Sequence, residues 1–445
     1  MATEAPLAFA AQMAENAAWN AAGSASSAAP NVGAQMLARW GHTPGRGLGK
    51  HEQGPSSAPR VASHIDNFGI GYHVAGLTDV AAPASPTEEK IVPLPPPEWL
   101  HGDGDHLPDA ETLEKWVELA PRSLTLEDEV SFVDGEELSA MLRAKTALDE
   151  VEKGRAFNAA RERANPYEGI KNECFMNRAA IKMAAMDAAC DYLFTLPGLA
   201  PAAAHEIVAR RLSDEAAAAA AEAAVKRGRG EPTPAPTASA LRGDAGSGNS
   251  LLYFCDVAAG PGGFAEYVLW RRGPSAKGVG FTLKAKHDFT PDAFHIHAAP
   301  EAFHPYYGPD RDGDLYSTVN LRALRNLAQR QTKGKWMHLV MGDGGFDVSG
   351  NENVQEILNK QLLLAQCIVA FATLRAGGAF VCKAFDLFTP FSASLVYLLH
   401  RCFDRICIYK PAQSRPANSE RYLLCHGYRR SEHTEVLVQH LLGVN

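Results

Sequence analysis

Two apolar runs in this chain each end in a charged residue, and that ending constrains the fold more than any other feature. WMHLVMGDGG closes on Asp343, and GGAFVCKAFD closes on Lys383. Apolar runs of this length read as strands buried on both faces of a parallel sheet, and open α/β sheets place their chemistry at the carboxyl ends of such strands. A third segment, LLYFCDVAAGPGGFAEYVLWRR, reads as strand, glycine-rich turn and helix. Leu251 to Phe254 are apolar, Asp256 closes the run, and Gly260-Pro261-Gly262-Gly263 lets backbone approach a ligand closely. Phe264 then opens an amphipathic helix carrying Tyr267, Val268, Leu269 and Trp270. The turn is not the GxGxxG dinucleotide fingerprint, and it is not a P-loop, because no GK[ST] follows the glycines. Taken alone, such a turn also serves packing in many α/β proteins.

Two further polar residues accompany these runs. Lys182 lies in NRAAIKMAAMD, which reads as a helix, and Glu420 sits in RPANSERYLL. Strands are expected near 251–257, 277–283, 293–298, 336–342, 377–384, 404–410 and 420–427. Helices are expected near 264–272, 319–331, 352–375 and 390–403. This alternation predicts an α/β fold with a doubly wound, mostly parallel, Rossmann-like sheet.

Composition bounds the class. Hydrophobic content of 46% and charged content of 21% describe a globular chain with enough apolar residues for a large core. The net charge of −8 gives no global signature of a nucleic-acid binder. Local patches suffice for phosphate contacts, and Arg155, Arg161 and Arg163 form one, Lys410, Arg415 and Arg421 another. The eight cysteines are scattered with no CxxC pair, which suits buried thiols in a reducing compartment rather than disulfides or a zinc site. His295 and His297, with His287 and His304 nearby, lack cysteines or carboxylates at ligand spacing, so no metal is expected. There is no run of 18 apolar residues for a membrane span, and the N-terminus reads as neither a signal nor a transit peptide.

Along the chain, residues 1–33 form an alanine-rich tail. Residues 34–80 then place Met36, Leu37 and Trp40 ahead of Gly41, Gly45, Gly47, Leu48, Gly49 and Gly54, with Gly69-Ile70-Gly71 closing the segment. A solvated glycine linker would not carry Trp40, Leu48 and Ile70. The segment resembles a G-patch, which implies a DEAH-box RNA helicase as partner. Residues 81–110 read as an extended proline-rich linker, and 111–445 as the main domain, opening with helices. Residues 197–250 read as a disordered or frayed-helix surface insertion that includes KRGRG, either an import or RNA patch or, more simply, a solvated charge run.

The order of Lys182, DVAAGPGGF, GDGGF, CKAFD and SRPANSERY resembles the FtsJ/RrmJ-type methyltransferase family. NRAAIKMAAMD, AEYVLWRR, NVQEILNKQLLL and FDLFTPFSASLVYLL are similar to its eukaryotic cap-1 subgroup, and the likeness runs over about residues 125–430. The resemblance implies S-adenosyl-L-methionine as cofactor and m7G-capped RNA as substrate. It implies methylation of the ribose 2′-O of the first transcribed nucleotide, in the nucleus. Other targets within the same chemistry are ribosomal RNA or the cap-2 position; a catalytically idle helicase adaptor is the reading from another class.

Displacement at the methyl carbon needs the ribose oxygen, methyl and sulfur in line and a base for the hydroxyl proton. A neutral lysine amine can serve, provided neighbouring cations and partial burial favour that form. In the family the base matches Lys383, with Lys182 and Asp343 completing the centre and Glu420 helping to hold the target ribose. For the cofactor the resemblance carries over Asn177, the loop Ala258, Ala259, Gly260, Pro261, Gly262, Gly263 and Phe264, and Asp314 with Leu315. Residue reading alone leaves Asp310, Asp312 and Asp314 equivalent. The strand GVGFTL ends at Lys284 rather than at an acidic residue for the cofactor ribose. For the capped RNA the matching positions are Lys145, Asp149, Arg161, Asn353, Val354 and Gln355, with Glu420; a cap needs basic residues for phosphate and side-chain edges for the base.

Overall fold

The computed structural model describes residues 96–102, 107–118, 123–149, 151, 155–170, 173–226, 250–296, 300–346 and 352–445. The chain divides into two units, Met1–Pro93 and Leu94–Asn445, and all described residues belong to the second. The alanine-rich tail, the glycine-rich segment, His297 and Arg227–Gly230 lie outside the described residues.

The strands are β1 (Leu100–His101), β2 (Leu252–Val257), β3 (Ala276–Phe281), β4 (Phe303–Tyr306), β5 (Met337–Gly342), β6 (Leu374–Ala384), β7 (Phe403–Tyr409) and β8 (Arg421–Tyr428). They form one sheet in the order β1-β7-β8-β6-β5-β2-β3-β4. From β6 to β4 every neighbouring pair is parallel. β8 runs antiparallel to both β6 and β7, and β1 antiparallel to β7. The reversal in mid-sheet between β5 and β2 makes the crevice at the carboxyl ends of these two strands a topological switch point.

Strand alternation splits the core in two. One face of the sheet (Cys255, Val257, Val279, Phe281, Val340, Phe380 and Cys382) packs with Leu362–Ala372 of the helix Gln355–Thr373 and with Leu395, Leu399, Leu437 and Leu441. The other face, with Phe254, Leu339, Met341, Val381 and Leu424, packs with Met183 and Met186 of helix α1 (Arg178–Ala189) and Phe264, Tyr267 and Val268 of helix α2 (Gly263–Arg272). At about 25 cal/mol per Å2, burial of apolar surface on both faces is what holds so long a strand set flat against its helices.

One expectation changes: among the described residues of the strand expected near 293–298 no strand forms, Pro291–Ala293 is a 3-10 turn, and the strand of that region is β4, ten residues on. The sheet's β8 is antiparallel, which continuous apolar burial on both faces cannot signal. Leu100–His101, inside the expected linker, pairs with β7. In the expected insertion Pro201–Lys226 is helical, and Ala204 and Val208 pack on Leu196.

Candidate active site

The carboxyl ends of β2, β5 and β6 lie side by side, with Val257 opposite Gly342 and Gly342 opposite Cys382. Asp343 is therefore one residue beyond β5 and Lys383 the penultimate residue of β6. Lys383 is also in register with Tyr422 of β8, which places Glu420, one residue before that strand, at the same edge. Lys182 reaches this edge from α1. The four expected polar residues close into two ion pairs: Lys383 Nζ to Asp343 Oδ1 at 3.1 Å, and Lys182 Nζ to Glu420 Oε1 at 2.6 Å.

Each carboxylate has a hydroxyl donor as well. Tyr422 donates to Asp343 Oδ1 at 3.0 Å, and Ser414 donates to Glu420 Oε1 at 2.6 Å. Burial opposes charge on Glu420, yet Lys182 and Lys383 prevail and its carboxyl titrates below the ordinary value. Gly345 keeps the approach to Lys383 clear: a Cβ there would lie 3.1 Å from Lys383 Cε.

The glycine-rich loop between β2 and α2 adjoins this cluster. Ala258, at φ 51, donates its N–H to Phe281 O at 2.8 Å, and Gly262, at φ 114, begins α2. The glycines have a role that the sequence did not indicate. A Cβ on Gly260 would lie 1.8 Å from His287 O, one on Gly262 3.0 Å from the Phe294 ring, and one on Gly263 2.1 Å from Asn177 Oδ1. All three admit neighbouring protein. Asn177 nonetheless sits against this loop, as the N-cap that accepts from Ala179 and Ala180 N–H.

Asp256, at the end of β2, is fully buried. Its Oδ2 accepts Ala265 N–H at 3.0 Å, and its Oδ1 has no partner. Burial, with a smaller push from Asp343, raises its pKa well above the usual carboxylate range. Asp312 accepts from Asp314 N and from the Asn320 amide, while Asp314 Oδ1 accepts Tyr316 N–H at 2.9 Å. This loop abuts the end of β3, where Lys284 N–H donates to Asp312 O at 2.8 Å. Leu315 beside it is buried. Asp256 Oδ1, the first N–H groups of α2 and the Asp314 loop form a donor and acceptor set along the ends of β2 and β3, and this suits a zwitterionic amino-acid end joined to a nucleoside.

The expected RNA residues are drawn into contacts within the protein. Lys145, on helix α3 (Gly135–Asp149), pairs with the buried Asp386, which also takes Arg421 at 3.5 Å. Arg161 lies 4.0 Å from Glu168, and Arg178 and Arg415 bind the same carboxylate at 2.6 and 2.9 Å. Asn353 donates to Thr146 at 2.9 Å, and Ser419 to Gln355 at 3.4 Å; Val354 and Asn353 line a cavity of about 500 Å3 with Leu126, Leu142 and Arg143. For Asp149 the backbone closes α3, and its side chain lies outside the described residues. Lys410 donates to Asn418 O, Asn418 Oδ1 and Glu420 O; burial and then Arg421 lower its pKa to about 8. Sequence reading assigned no role to Asp256, Glu168, Asp386 or Ser414. For Asp256 the strand-end position was a usable signal; for the other three none existed, because Glu168 and Asp386 each take one partner more than 200 residues away and Ser414 meets Glu420 within one loop.

A doubly wound sheet with a lysine–carboxylate cluster at its switch point, beside a glycine-rich strand-to-helix turn, defines a methyltransferase-type α/β domain. Residues 242–428 match the FtsJ-like methyltransferase family and residues 30–72 the G-patch domain. It is 38% identical over 419 residues to cap-specific mRNA (nucleoside-2′-O-)-methyltransferase 1 of Danio rerio, covering 93% of this chain and 45% of that protein. The protein of the same name in Homo sapiens is 39% identical over 402 residues, covering 90% and 43%, and that of Drosophila melanogaster 37% over 418 residues, covering 93% and 48%. The chain thus spans a little under half the length of these relatives.

Proposed function

We propose that this chain transfers a methyl group from S-adenosylmethionine to the ribose 2′-O of the first transcribed nucleotide of m7G-capped RNA. The observation that carries the reading is the convergence of Lys182–Glu420 and Lys383–Asp343 at the sheet edge beside the cofactor-type loop. The cofactor, when bound, supplies an electrophilic methyl on a sulfonium. The protein's own work is to hold the 2′-hydroxyl in line and to take its proton.

In this reading Lys383 Nζ is the base. Asp343, fixed by Tyr422, sets where that nitrogen points. Lys182 pairs with Glu420, whose carboxylate holds the target ribose. Asp256 and the α2 N-terminus hold the amino-acid end of the cofactor, and Asn177 with the Asp314–Leu315 loop borders the nucleoside. Lys145, Arg161, Asp149 and Asn353–Gln355 serve the cap and its phosphates. Arg161, Arg178 and Arg415 around one carboxylate, and Lys145 with Arg421 around another, leave a local excess of positive charge despite the acidic whole.

The deciding experiment incubates purified chain with labelled S-adenosylmethionine and short RNAs ending in m7GpppG, GpppG or triphosphate, then maps the methyl. Methylation of the first nucleotide in capped RNA alone supports the reading. Methylation elsewhere would redirect it to another RNA, and no transfer to any RNA would leave the helicase-adaptor role. The G-patch domain supports a DEAH-box helicase partner in the nucleus. Deleting residues 1–80 should abolish helicase co-purification and spare methylation of an unstructured capped oligonucleotide; lost activity on that oligonucleotide would overturn the division of labour.

A further inference from the structure

The loop joining β7 to β8 delivers Glu420, and it is tied down along its length. Asn165 Nδ2 donates to Ala412 O at 3.3 Å and Ser414 O at 3.1 Å. Arg178 donates to Gln413 O at 2.7 Å while also pairing with Glu168, which holds Arg415 in turn. Lys410 closes the loop's mouth through Asn418 and Glu420 O. The clamp is thus built from the segment that leads directly into α1 and Lys182. Its product is a single placement: the Ser414 hydroxyl, 2.6 Å from Glu420 Oε1.

Ser414 is 2% exposed, so it cannot meet RNA itself. Glu420 Oε1 receives both Ser414 and Lys182, each at 2.6 Å. A carboxylate torsion is broad and two-fold, so one lysine alone would not decide which oxygen it takes. We infer that Ser414 is a positioning residue for the transfer: with Lys182 it saturates Oε1 and leaves Oε2 as the oxygen that holds the target ribose. The inference rests on the reading of Glu420 as the ribose-holding group. It also gives the Glu168 arginine cluster a purpose, since losing the loop's position would withdraw the hydroxyl.

The groups facing Glu420 are Lys182 from α1, Lys383 from β6, Lys410 from the end of β7, and Tyr422 on β8. Burial raises its pKa, while Lys182, Lys383 and the Ser414 hydrogen bond lower it. Removing the hydroxyl must therefore move the Glu420 pKa upward. A residue that only stabilised the fold would lose rate in proportion to stability, whether or not the Glu420 carboxylate is present.

The test compares Ser414→Ala, Glu420→Gln and the double variant of the full chain by single-turnover methylation of an m7G-capped oligonucleotide, with melting curves to confirm folding. Ser414→Ala should lower the rate about tenfold, the usual scale for losing one hydrogen bond to a charged group, with S-adenosylmethionine affinity unchanged. On the Glu420→Gln background it should cost nothing more. Ser414→Cys, a weaker donor of similar size, should fall between, and it carries the comparison if the alanine variant does not fold. Additive losses, or a rate loss matched by lowered melting, would overturn the role of Ser414 while leaving Glu420 in place. Full activity of Glu420→Gln would instead overturn the reading of Glu420 itself.

Discussion

Gly263→Ala would place one methyl where the two halves of the site meet. Gly263 is the first residue of α2, and an added Cβ would lie 2.1 Å from Asn177 Oδ1, 2.9 Å from its Cγ and 3.0 Å from Ala180 N. Asn177 Oδ1 is the acceptor for Ala179 N–H at 3.0 Å and Ala180 N–H at 3.4 Å, so the methyl displaces the N-cap of the helix carrying Lys182. Loss of an N-cap costs about 1 kcal/mol. Overpacking against backbone that cannot withdraw costs roughly 1–3 kcal/mol more. The sum, about 2–4 kcal/mol, should appear as a lowered urea midpoint at unchanged slope. Calorimetry with S-adenosylhomocysteine should show weakened binding in the same variant, because Asn177 borders the cofactor loop. Asn177→Ala alone should cost about 1 kcal/mol, and adding it to Gly263→Ala should recover part of the loss, since the atom in the way has gone. A Gly263→Ala protein within about 0.5 kcal/mol of the parent, or a double variant showing the full sum, would refute the argument.

Lys383→Ala should slow methyl transfer by ~10²–10⁴-fold while S-adenosylhomocysteine still binds in calorimetry, as expected for loss of a general base; near-normal turnover would remove Lys383 from the mechanism. Gly262→Val should destabilise the domain by about 2 kcal/mol or more, because the residue sits at φ 114 with the Phe294 and Phe289 rings 3.0–3.2 Å from a new Cβ; an unchanged melting temperature would show that the loop is misplaced. Lys410, at about 8 in the fold against 10.5 as the ordinary value, binds fewer protons folded than unfolded across that window. Stability should therefore rise from pH 8 towards 10.5 relative to Lys410→Met in parallel denaturation curves, and coincident profiles would contradict the shift.

The sheet was legible where burial leaves a one-dimensional trace. The apolar runs at β2, β5 and β6 and the glycine-rich turn stand out because both faces of these strands are covered. β4 was not legible: FHPY has four residues and a proline, which an edge strand tolerates, whereas FHIHAA offers a false two-residue period. The direction of β8 is invisible for the same reason that its strand character is plain, since a strand buried on both faces reads alike in either sense. The alanine-rich stretch after residue 200 left disorder and frayed helix open, and the helix forms because Ala204 and Val208 need only the small surface of Leu196 to pack against. In the site, chain order and strand ends picked out the four polar residues that do meet. Their partners could not be picked out: Asn165 and Ser414 are 249 positions apart, and Lys145 and Asp386 are 241 apart.

Those unseen partners share a design. Glu266, on α2, accepts Met176 N–H at 2.8 Å and His295 N–H at 2.6 Å, so one buried side chain joins the approach to Asn177 with the loop under Gly262. Glu356 accepts Phe388 and Thr389 N–H, each at 2.9 Å, and the Thr389 hydroxyl at 2.7 Å, fixing the turn that bears Asp386. Glu168 gathers Arg178 and Arg415 beneath the loop that bears Ser414. Each carboxylate is buried, and a buried carboxylate left without donors is costly, so its donors cannot drift without a large penalty. A loop held by one such group is therefore rigid without forming helix or strand. Transfer of a methyl group depends on distances held to a fraction of an ångström before substrate arrives, and that precision has to be built into the unliganded fold. The acidic excess of the chain is partly accounted for here: these carboxylates face inward, on loops and helix starts, where Glu266 and Glu356 collect N–H groups and Glu168 holds Arg178 and Arg415.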